Sequence, residues 1–358
     1  MSDAELLEFH RNLVSISSLS RHEGPIADWV QEFLCKAGAE VWRHGDSVIA
    51  RAGQGPKLLL NSHLDTVPAT NQWTRPPLEP TVVDGRVYGL GANDAKASVA
   101  AMTSAFLKAL ANDGPCEVVL LLAPMEETGG GGTEISLPWL MAEKAWIPQG
   151  AVVGEPTQLD IGVAQKGLMI LELTERGDAC HAGNAARLGA VNPIWNLARD
   201  ILALEAADLG PPHPRLGAPS LQPTVLRGAE VHNQVPGEAL CVLDVRTVPG
   251  LTHSALLERL RTSVTGELRE RSVRLEPYEC DERATIVQAA AKARPASRLF
   301  ASPTMSDQVF FRGLPAIKCG PGVSARSHTP DEFVMESEIL EGAEFYGALM
   351  GAFAEARS

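Results

Sequence analysis

Histidine and acidic residues recur in the sequence where a short apolar run or a glycine-rich turn ends. The positions are His63, Asp65, Asp94, Glu126, Glu127, Glu155 and His328. Mixtures of imidazole and carboxylate ligands suit zinc and related divalent cations in proteins. If the fold gathers these carboxylates in one place, they repel one another, and one or two bound cations remove that cost. The pattern therefore predicts a metal site.

The spacing within two of these groups suggests separate roles. Asp65 lies two residues after His63 and could hold the outer nitrogen of its imidazole, which fixes the tautomer of a metal ligand. Adjacent Glu126 and Glu127 could divide the work, one binding metal and the other handling protons. Ordinary explanations also exist, because paired glutamates are often solvated and Asp94 could cap a helix. The shared position of these residues after buried strands favours a site.

Alternating strands and helices must position these side chains. The apolar runs that predict strands buried on both faces are 58–60, 118–122 and 151–153. The apolar periodicity predicts helices over 4–16 and 26–37, and a composition rich in Ala and Val predicts a helix over 95–111. In such a sheet, ligands bind beyond the carboxyl ends of the strands, so the side chains that follow them meet at one edge. The fold class predicted is α/β, with a mixed, largely parallel sheet flanked by helices.

The middle of the chain changes character. Segments 168–175 and 238–246 alternate between apolar and polar residues, as half-exposed strands do. This alternation predicts a smaller α+β domain, 166–279, inserted into a catalytic domain made of 1–165 and 280–358. An exposed strand edge in the insert could pair with that of a second copy, so the insert is predicted to be a lid and dimerisation domain of a homodimer.

Composition excludes several classes of function. The 358 residues carry a net charge of −13, which disfavours binding to nucleic acid and to anionic membranes. The six cysteines form no C-x-x-C pair and are expected to be reduced thiols of a cytoplasmic protein. The first residues show no signal peptide pattern, and no apolar run reaches the roughly 20 residues of a membrane span.

Five motifs occur in order along the chain. They are Asn-Ser-His-Leu-Asp-Thr-Val-Pro at 61–68, Tyr-Gly-Leu-Gly-Ala-Asn-Asp-Ala-Lys at 88–96, Met-Glu-Glu-Thr-Gly at 125–129, Gly-Glu-Pro-Thr at 154–157 and Ser-His-Thr at 327–329. Together they resemble the family that includes acetylornithine deacetylase, succinyl-diaminopimelate desuccinylase and glutamate carboxypeptidases, over essentially the whole chain. Stretches at 165–169, 302–308 and 320–328 are most similar to the acetylornithine deacetylase branch. The resemblance implies a zinc-peptidase-like fold.

The same resemblance implies a dinuclear site of zinc or cobalt. Asp94 would bridge the two metal ions. His63 and Glu155 would complete one metal site, and Glu127 and His328 would complete the other. Two departures from the family pattern occur near these ligands. Ala95 and Ala97 replace Met and Gly after the bridging acid, and Met125 replaces the acidic residue often found before the paired glutamates.

The resemblance also assigns roles in catalysis and substrate binding. Glu126 would be the general base, and Asp65 would orient the imidazole of the first ligand. In the inserted domain, His181 would reach the active site of the partner subunit and Asn233 would contact substrate. Arg246 would grip a substrate carboxylate with its planar guanidinium. From the sequence alone, Arg246 could equally form an ion pair with the nearby Asp244, and His181 could be an ordinary surface residue.

The activity implied is metal-dependent hydrolysis of N-acetyl-L-ornithine to L-ornithine and acetate, a step of arginine synthesis. The alternatives are N-succinylornithine, N-succinyl-diaminopimelate, N-acetylcitrulline, a dipeptide, or lysine or ornithine linked to a carrier protein. A non-catalytic, ligand-binding relative is the alternative from another class. No Gly-x-Ser-x-Gly elbow, phosphate-binding loop or H-E-x-x-H helix occurs in the sequence to suggest other chemistry.

Overall fold

The computed structural model describes residues 1–357 and divides the chain into two compact units. The first unit contains residues 1–163, 280–300 and 306 onward, and the second contains residues 164–279 and 301–305. The second unit is thus a continuous insertion plus one short return segment. The role of the inserted segment 166–279 as a lid and dimerisation domain stays a prediction.

Helices begin and end close to the positions that their apolar periodicity predicts. In chain order they are α1 (Asp3–Ser15), α2 (Gly24–Lys36), α3 (Lys96–Ala111), α4 (Gly131–Glu143), α5 (Ala185–Leu188), α6 (Pro193–Glu205), α7 (His253–Arg261), α8 (Thr285–Ala293) and α9 (Glu336–Glu355). Short 3-10 helices lie at Ala182–Asn184, Asp307–Phe311 and Ser324–Arg326. The predictions for the first three are confirmed to within two residues at each end. Ser2 and Glu5 form a capping box that starts α1.

Strands outnumber those that the sequence patterns predicted. In chain order they are β1 (Glu40–His44), β2 (Ser47–Ala52), β3 (Lys57–His63), β4 (Thr81–Val83), β5 (Arg86–Tyr88), β6 (Glu117–Ala123), β7 (Gly150–Val153), β8 (Ile161–Gln165), β9 (Gly167–Arg176), β10 (Cys180–His181), β11 (Ser220–Arg227), β12 (Gln234–Val235), β13 (Glu238–Thr247), β14 (Glu267–Leu275), β15 (Tyr278–Glu279), β16 (Leu299–Ser302), β17 (Ala316–Lys318) and β18 (Phe333–Met335). The predicted buried strands correspond to β3, β6 and β7. His63, predicted to follow its strand, is the last residue of β3.

The main sheet of the first unit has the order β1-β2-β6-β3-β7-β17-β8. The pairs at its centre, β6–β3, β3–β7 and β7–β17, are parallel, whereas the outer pairs β1–β2, β2–β6 and β17–β8 are antiparallel. Residues 58–63 of β3 are all buried, so helices and loops cover both faces of the sheet. The predicted mixed, largely parallel α/β sheet is confirmed.

The second unit contains an antiparallel sheet with the order β11-β13-β9-β14. Alternate residues of β9 and β13, such as Leu171 and Leu243, pack with α6 and α7 in one apolar core. Residues of the opposite parity, including Asp244 and Arg246, lie on the other face and are half-buried. The alternation predicted for 168–175 and 238–246 is therefore confirmed as a sheet with one core face.

Candidate metal centre

The register of the central strands brings the first candidate residues to one edge of the sheet. His63 is paired with Ala123 across β3 and β6, so these two parallel strands end side by side. Asn61 is paired with Val153 across β3 and β7, so the third strand ends there too. Glu126 and Glu155 lie in the segments that directly follow β6 and β7, so their side chains are found at the same edge as His63. The expectation that these strand ends meet is therefore confirmed.

Two loops supply the other candidate ligands. Asp94 lies two residues before α3 and its side chain does not cap that helix, whose N-cap residue is Ala95. His328 follows the 3-10 helix Ser324–Arg326, and its backbone has a φ of 59°, a conformation that non-glycine residues seldom adopt. The helix-capping explanation of Asp94 is thus wrong, because its carboxylate points elsewhere.

Three groups of potential metal ligands converge, with the ligand atoms of each within 4.8 Å of one another. They are His63, Glu126 and Glu127; His63, Asp94 and Glu155; and Asp94, Glu127 and His328. The last two groups share Asp94. Its Oδ1 lies 3.2 Å from Nε2 of His63, and its Oδ2 lies 4.0 Å from Nε2 of His328. The two oxygens of one carboxylate therefore face two different imidazoles.

Asp65 connects the two strand ends. Nδ1 of His63 donates to the main-chain oxygen of Asp65 at 3.0 Å and lies 3.4 Å from its Oδ1, which leaves Nε2 facing the other candidate ligands. The carboxylate of Asp65 also accepts the main-chain N–H groups of Glu126 and Glu127, at 3.0 and 3.1 Å, and the hydroxyl of Ser20 at 2.7 Å. This second task, holding the paired-glutamate loop, was not predicted.

The protein groups at this edge perturb one another strongly. Burial, followed by the charge of Glu155, raises the pKa of Glu126 well above its usual value. Burial also raises the pKa of Glu155 to about 8, with Lys318 opposing this shift and Asp94 adding to it. Burial alone would lower the pKa of His63, but its bonds to the two aspartates outweigh burial and raise it well above its usual value. The cluster thus has a surplus of negative charge.

This cluster fits divalent cations. Oε1 of Glu155 is buried and accepts no hydrogen bond from residues 1–357, although a buried carboxylate oxygen needs a partner. The mixture of two imidazoles with carboxylates is the ligand set of zinc and similar metals. A cation between these atoms would also neutralise the mutual repulsion of the carboxylates.

The residues predicted to bind substrate lie in the second unit. His181 and Asn233 lie close together along the chain trace, since β10, which contains His181, pairs with β12, which Asn233 directly precedes, and the N–H of Ala182 donates to the main-chain oxygen of Asn233 at 2.8 Å. The imidazole of His181 is exposed and accepts the N–H of Gly183 through Nδ1 at 3.1 Å. The surface position considered for His181 is what the structure shows, and its contact with substrate stays a prediction.

Arg246 makes the ion pair that the sequence left open. Its Nε and Nη2 donate to Oδ1 and Oδ2 of Asp244, at 2.8 and 3.1 Å, along the same strand. Both side chains are partly exposed on the sheet face opposite the core. Binding of a substrate carboxylate by Arg246 remains a prediction.

Two buried glutamates were not predicted from the sequence. Glu332 accepts three main-chain N–H groups of the loop before Asp94, and Glu23 accepts the N–H of Met125, next to the paired glutamates. Both are almost completely buried. A signal existed for Glu332, because it lies only four residues after His328 in a segment with two acids. Glu23 lies more than a hundred residues before its partner, and its sequence context offers no such signal.

Sequence comparison finds relatives with several substrates. A probable carboxypeptidase of Aspergillus terreus is 30% identical over 289 residues, which are 74% of this chain and 66% of that protein, just under two thirds of its length. A succinyl-diaminopimelate desuccinylase of Gluconacetobacter diazotrophicus is 31% identical over 326 residues, 85% of this chain and 83% of that protein. An acetylornithine deacetylase of Edwardsiella ictaluri is 25% identical over 364 residues, 93% of this chain and 94% of that protein.

Solved structures share the fold over nearly the whole chain. An M20 family metallo-carboxypeptidase of Sulfolobus solfataricus superposes with a TM-score of 0.81 at 19% identity, covering 99% of this chain and 100% of that one. A dinuclear metal-binding M20 peptidase of Bacillus subtilis superposes with a TM-score of 0.73 at 16% identity, covering 99% of both chains. These similarities support the fold class.

The family itself is shown by a match along most of the sequence. The profile of Peptidase family M20/M25/M40 matches residues 59–352. That range includes every candidate metal ligand, from His63 to His328. This chain therefore belongs to Peptidase family M20/M25/M40 and is a hydrolase that acts on amide bonds.

Proposed function

We propose that this chain binds two divalent cations, zinc or cobalt, and hydrolyses the amide bond of an N-acyl amino acid. The observation that carries the proposal is the position of Asp94, whose two oxygens face two different histidines. His63 and Glu155 complete the ligand group on one side, and Glu127 and His328 complete it on the other. Paired metal ions are typical of hydrolases that include aminopeptidases.

The residues of the chain would divide the chemistry as follows. Divalent cations held by these residues would lower the pKa of a bound water, polarise the scissile carbonyl and offset the charge of the carboxylates. Glu126, in its ionised form, accepts the proton of the attacking water and later delivers it to the nitrogen of the leaving amine. Asp65 holds the main chain of Glu126 and therefore fixes the loop from which this base acts. Because water itself attacks the carbonyl and its proton passes through Glu126 to the leaving amine, no covalent acyl-enzyme is required.

The substrate proposed is N-acetyl-L-ornithine, which would place the enzyme in arginine synthesis. The acetylornithine deacetylase relative and the motifs at 302–308 and 320–328 support it. The desuccinylase relative, at higher identity over a shorter alignment, supports an N-succinyl substrate on the same site. All these substrates are N-acyl amino acids with a free carboxylate, for which Arg246 is the proposed ligand.

A substrate panel tests this proposal. N-acetyl and N-succinyl derivatives of ornithine, citrulline, lysine and diaminopimelate would be assayed with the zinc and the cobalt enzyme, with a dipeptide for comparison. We expect the highest kcat/KM for N-acetyl-L-ornithine. A preference for a succinyl compound would replace the acyl group in the proposal and keep the reaction. No hydrolysis of any compound by the metal-loaded enzyme would contradict the N-acyl amino acid class.

The second unit carries a surface suited to a second copy of the chain. Eight large apolar residues between positions 188 and 231 are exposed: Leu188, Val191, Ile194, Trp195, Leu202, Val225, Leu226 and Val231. Those of α6 adjoin those near β11, because a Cβ at Gly228 would lie 3.0 Å from Cδ1 of Ile194. Exposed apolar surface that is contiguous marks interaction sites in soluble proteins. It supports the proposal of a homodimer.

The two free edges of the sheet differ in a way that selects one for pairing. β14 carries charged side chains at Glu267, Arg269, Glu270 and Arg271, and such charges discourage edge-to-edge contact. β11, at the other edge, is mostly exposed and carries Val225 and Leu226 near its end. Two copies related by a twofold axis can pair this edge with itself. We therefore propose that β11 and α6, rather than β14, form the dimer interface.

A cytoplasmic location also belongs to the proposal. All six cysteines are free thiols in the structure, including Cys35, which is exposed. Free thiols are typical of proteins from reducing compartments. Among residues 1–357, the structure contains no helix with the length and apolar character needed to cross a membrane.

A further inference from the structure

A buried carboxylate lies against the loop that carries Asp94. Glu332 is 2% exposed. Its Oε1 accepts the main-chain N–H groups of Asn93 and Asp94, both at 2.9 Å, and its Oε2 accepts the N–H of Gly91 at 3.2 Å. These three amides precede α3, which begins at Lys96, so no helix satisfies them. One side chain thus satisfies three donors of the loop.

The position of Glu332 is itself fixed from both sides. Its main-chain oxygen accepts the N–H of Gly89 at 3.0 Å, and the residues after it form β18, which pairs with β5. On the other side, Asp331 accepts the N–H groups of Thr74 and Arg75, at 2.9 and 3.1 Å. A carboxylate anchored in this way imposes its own position on the amides that it binds.

The side chain of Asn93 extends the constraint to the second loop of the site. Its Oδ1 accepts the N–H of Val323 at 2.9 Å, and its Nδ2 donates to the oxygen of Val323 at 3.1 Å and to Oγ of Ser327 at 3.2 Å. Ser327 directly precedes His328. Gly322 has a φ of 89°, and a Cβ there would collide with Oδ1 of Asn93, so the loops approach closely. Asn93 and Ser327, which directly precede Asp94 and His328, are thus joined by a hydrogen bond.

We propose that Glu332 is a positioning residue for the dinuclear centre. It holds the amides on the N-terminal side of Asp94 so that each oxygen of that carboxylate faces a different ligand group, and Asn93 transmits the same constraint to His328. This inference rests on the proposed two-metal function. It assigns no contact with substrate or with reacting atoms to Glu332. Partners of this outer kind typically change metal affinity by about 10- to 100-fold when they are replaced.

The variant Glu332→Gln tests the role at nearly constant shape. An amide offers one acceptor oxygen in place of two, so its NH2 group would face at least one of the three N–H donors. Because both ligand groups share Asp94, we expect both cobalt ions to bind about 10- to 100-fold more weakly. The measurement is a Co²⁺ titration of the metal-free protein, followed by the visible absorption of the bound ions.

Two further variants separate positioning from a general loss of structure. Asn93→Ala leaves Glu332 in place and is expected to weaken mainly the ion bound by Asp94, Glu127 and His328. Glu341→Gln, an exposed acid on α9, is the matched control and should bind two ions as the wild type does. Circular dichroism of the metal-free proteins establishes whether each variant is folded. If Glu332→Gln does not fold, Glu332→Asp, which keeps the charge but shortens the side chain that binds the three amides, takes its place in the same titration, and unchanged affinities there would overturn the positioning role.

The outcomes distinguish this inference from the function on which it rests. A wild-type protein that binds no Co²⁺, or one ion alone, would overturn the two-metal proposal and the inference with it. Two ions in the wild type, with unchanged affinities and absorption in folded Glu332→Gln, would overturn the positioning role alone. Unchanged binding of both ions by Asn93→Ala would likewise overturn the link to His328.

Discussion

At the scale of single residues, Asp65 connects His63 to the loop that carries Glu126 and Glu127. Its main-chain oxygen accepts Nδ1–H of His63, while its carboxylate accepts the N–H groups of the two following glutamates. The orientation of a proposed metal ligand and the position of the proposed base are therefore set by one residue. Glu126 lies where burial and neighbouring acids favour its protonated form, so it needs positive charge nearby to work as a base at neutral pH.

Replacement of the base gives the sharpest prediction at this scale. Glu126→Gln keeps the size of the side chain and removes its ability to accept a proton. We expect kcat to fall by about 10²- to 10⁴-fold or more, the range that general base catalysis supplies, while two metal ions remain bound. Steady-state kinetics and metal analysis of the same sample provide the check. The exposed acid Glu143, changed to Gln, is the control, and near-normal turnover by Glu126→Gln would refute the assignment.

Arg246 gives a second prediction at the residue scale. If its guanidinium binds the substrate carboxylate, Arg246→Ala should raise KM about 10- to 100-fold, because a hydrogen bond to a charged group contributes about 1.5–3 kcal/mol. We expect kcat to change by a few fold at most, because this interaction would be equally strong in the bound substrate and in the transition state. Arg269→Ala, an exposed arginine of the same sheet, is the control. An unaltered KM would show that Arg246 does not bind the substrate carboxylate and serves only in the ion pair with Asp244.

The site residues were predictable from sequence to different degrees. The acids and histidines after apolar strands were recognisable because a strand buried on both faces has an unmistakable composition. The resemblance then distinguished ligand from base, which spacing alone could not do for Glu126 and Glu127. The hydrogen bonds from main-chain N–H groups to the carboxylates of Asp65 and Glu332 were not predictable. Every residue except proline has such an N–H group, so the sequence does not show which residues donate.

At the scale of elements, helix α1 supports the loop that carries the proposed bridging ligand. Nε2 of His10, on α1, donates to the main-chain oxygen of Ala92 at 2.8 Å. The imidazole is fully buried, and its Nδ1 has no hydrogen-bond partner among the described residues. Burial lowers the pKa of His10 to about 4, although the bond to Ala92 opposes this shift. His10 is therefore neutral in the folded protein at neutral pH.

The depressed pKa of His10 predicts a loss of stability in acid. Below about pH 6.5 the unfolded chain binds a proton at this position, whereas the folded chain does not until about pH 4. The free energy of unfolding therefore falls as pH decreases through this window, by roughly 3 kcal/mol in all. His10→Gln should lack this component, so urea denaturation of both proteins from pH 7 to pH 4 isolates it. His22→Gln, at an exposed histidine, is the control, and parallel curves for wild type and His10→Gln would contradict the prediction.

The elements also show where sequence patterns fail. The strands β3, β6 and β7 were predicted because their apolar runs are continuous, and helices α1 and α2 because one apolar face repeats with helical periodicity. The edge strands β11 and β14 were missed, since one contains a proline and the other alternates charges. The positive φ of His328 could not be predicted, because the loop around it is held by Thr74, Arg75 and Asn93, which lie far from it in the sequence.

At the scale of the whole molecule, each unit has its own task. The first unit contains all the proposed metal ligands and the base, and the second contains an exposed apolar surface together with the proposed substrate contacts. The insert was predictable from the change from continuous apolar runs to alternating strands. The edge that we propose for pairing was not predictable, because β11 does not resemble a strand in the sequence.

The proposed dimer interface can be tested by substitution. Charges introduced at Leu202 of α6 and Leu226 of β11, as Leu202→Arg and Leu226→Arg together, should convert a dimer to a monomer. Light scattering after gel filtration measures the mass directly. Ile147→Arg, at an exposed apolar residue of the first unit, is the matched control and should remain dimeric. A monomeric wild type, or a dimeric double variant, would rule out this interface.

The proposed chemistry depends on two metal ions that share Asp94. Elemental analysis of the wild type and of Asp94→Ala, both dialysed against the same zinc buffer, tests it most directly. Two zinc ions per wild-type chain are expected, and fewer than one per chain in Asp94→Ala, because both groups lose a common ligand. A single ion in the wild type, or two ions retained by Asp94→Ala, would contradict the shared dinuclear centre.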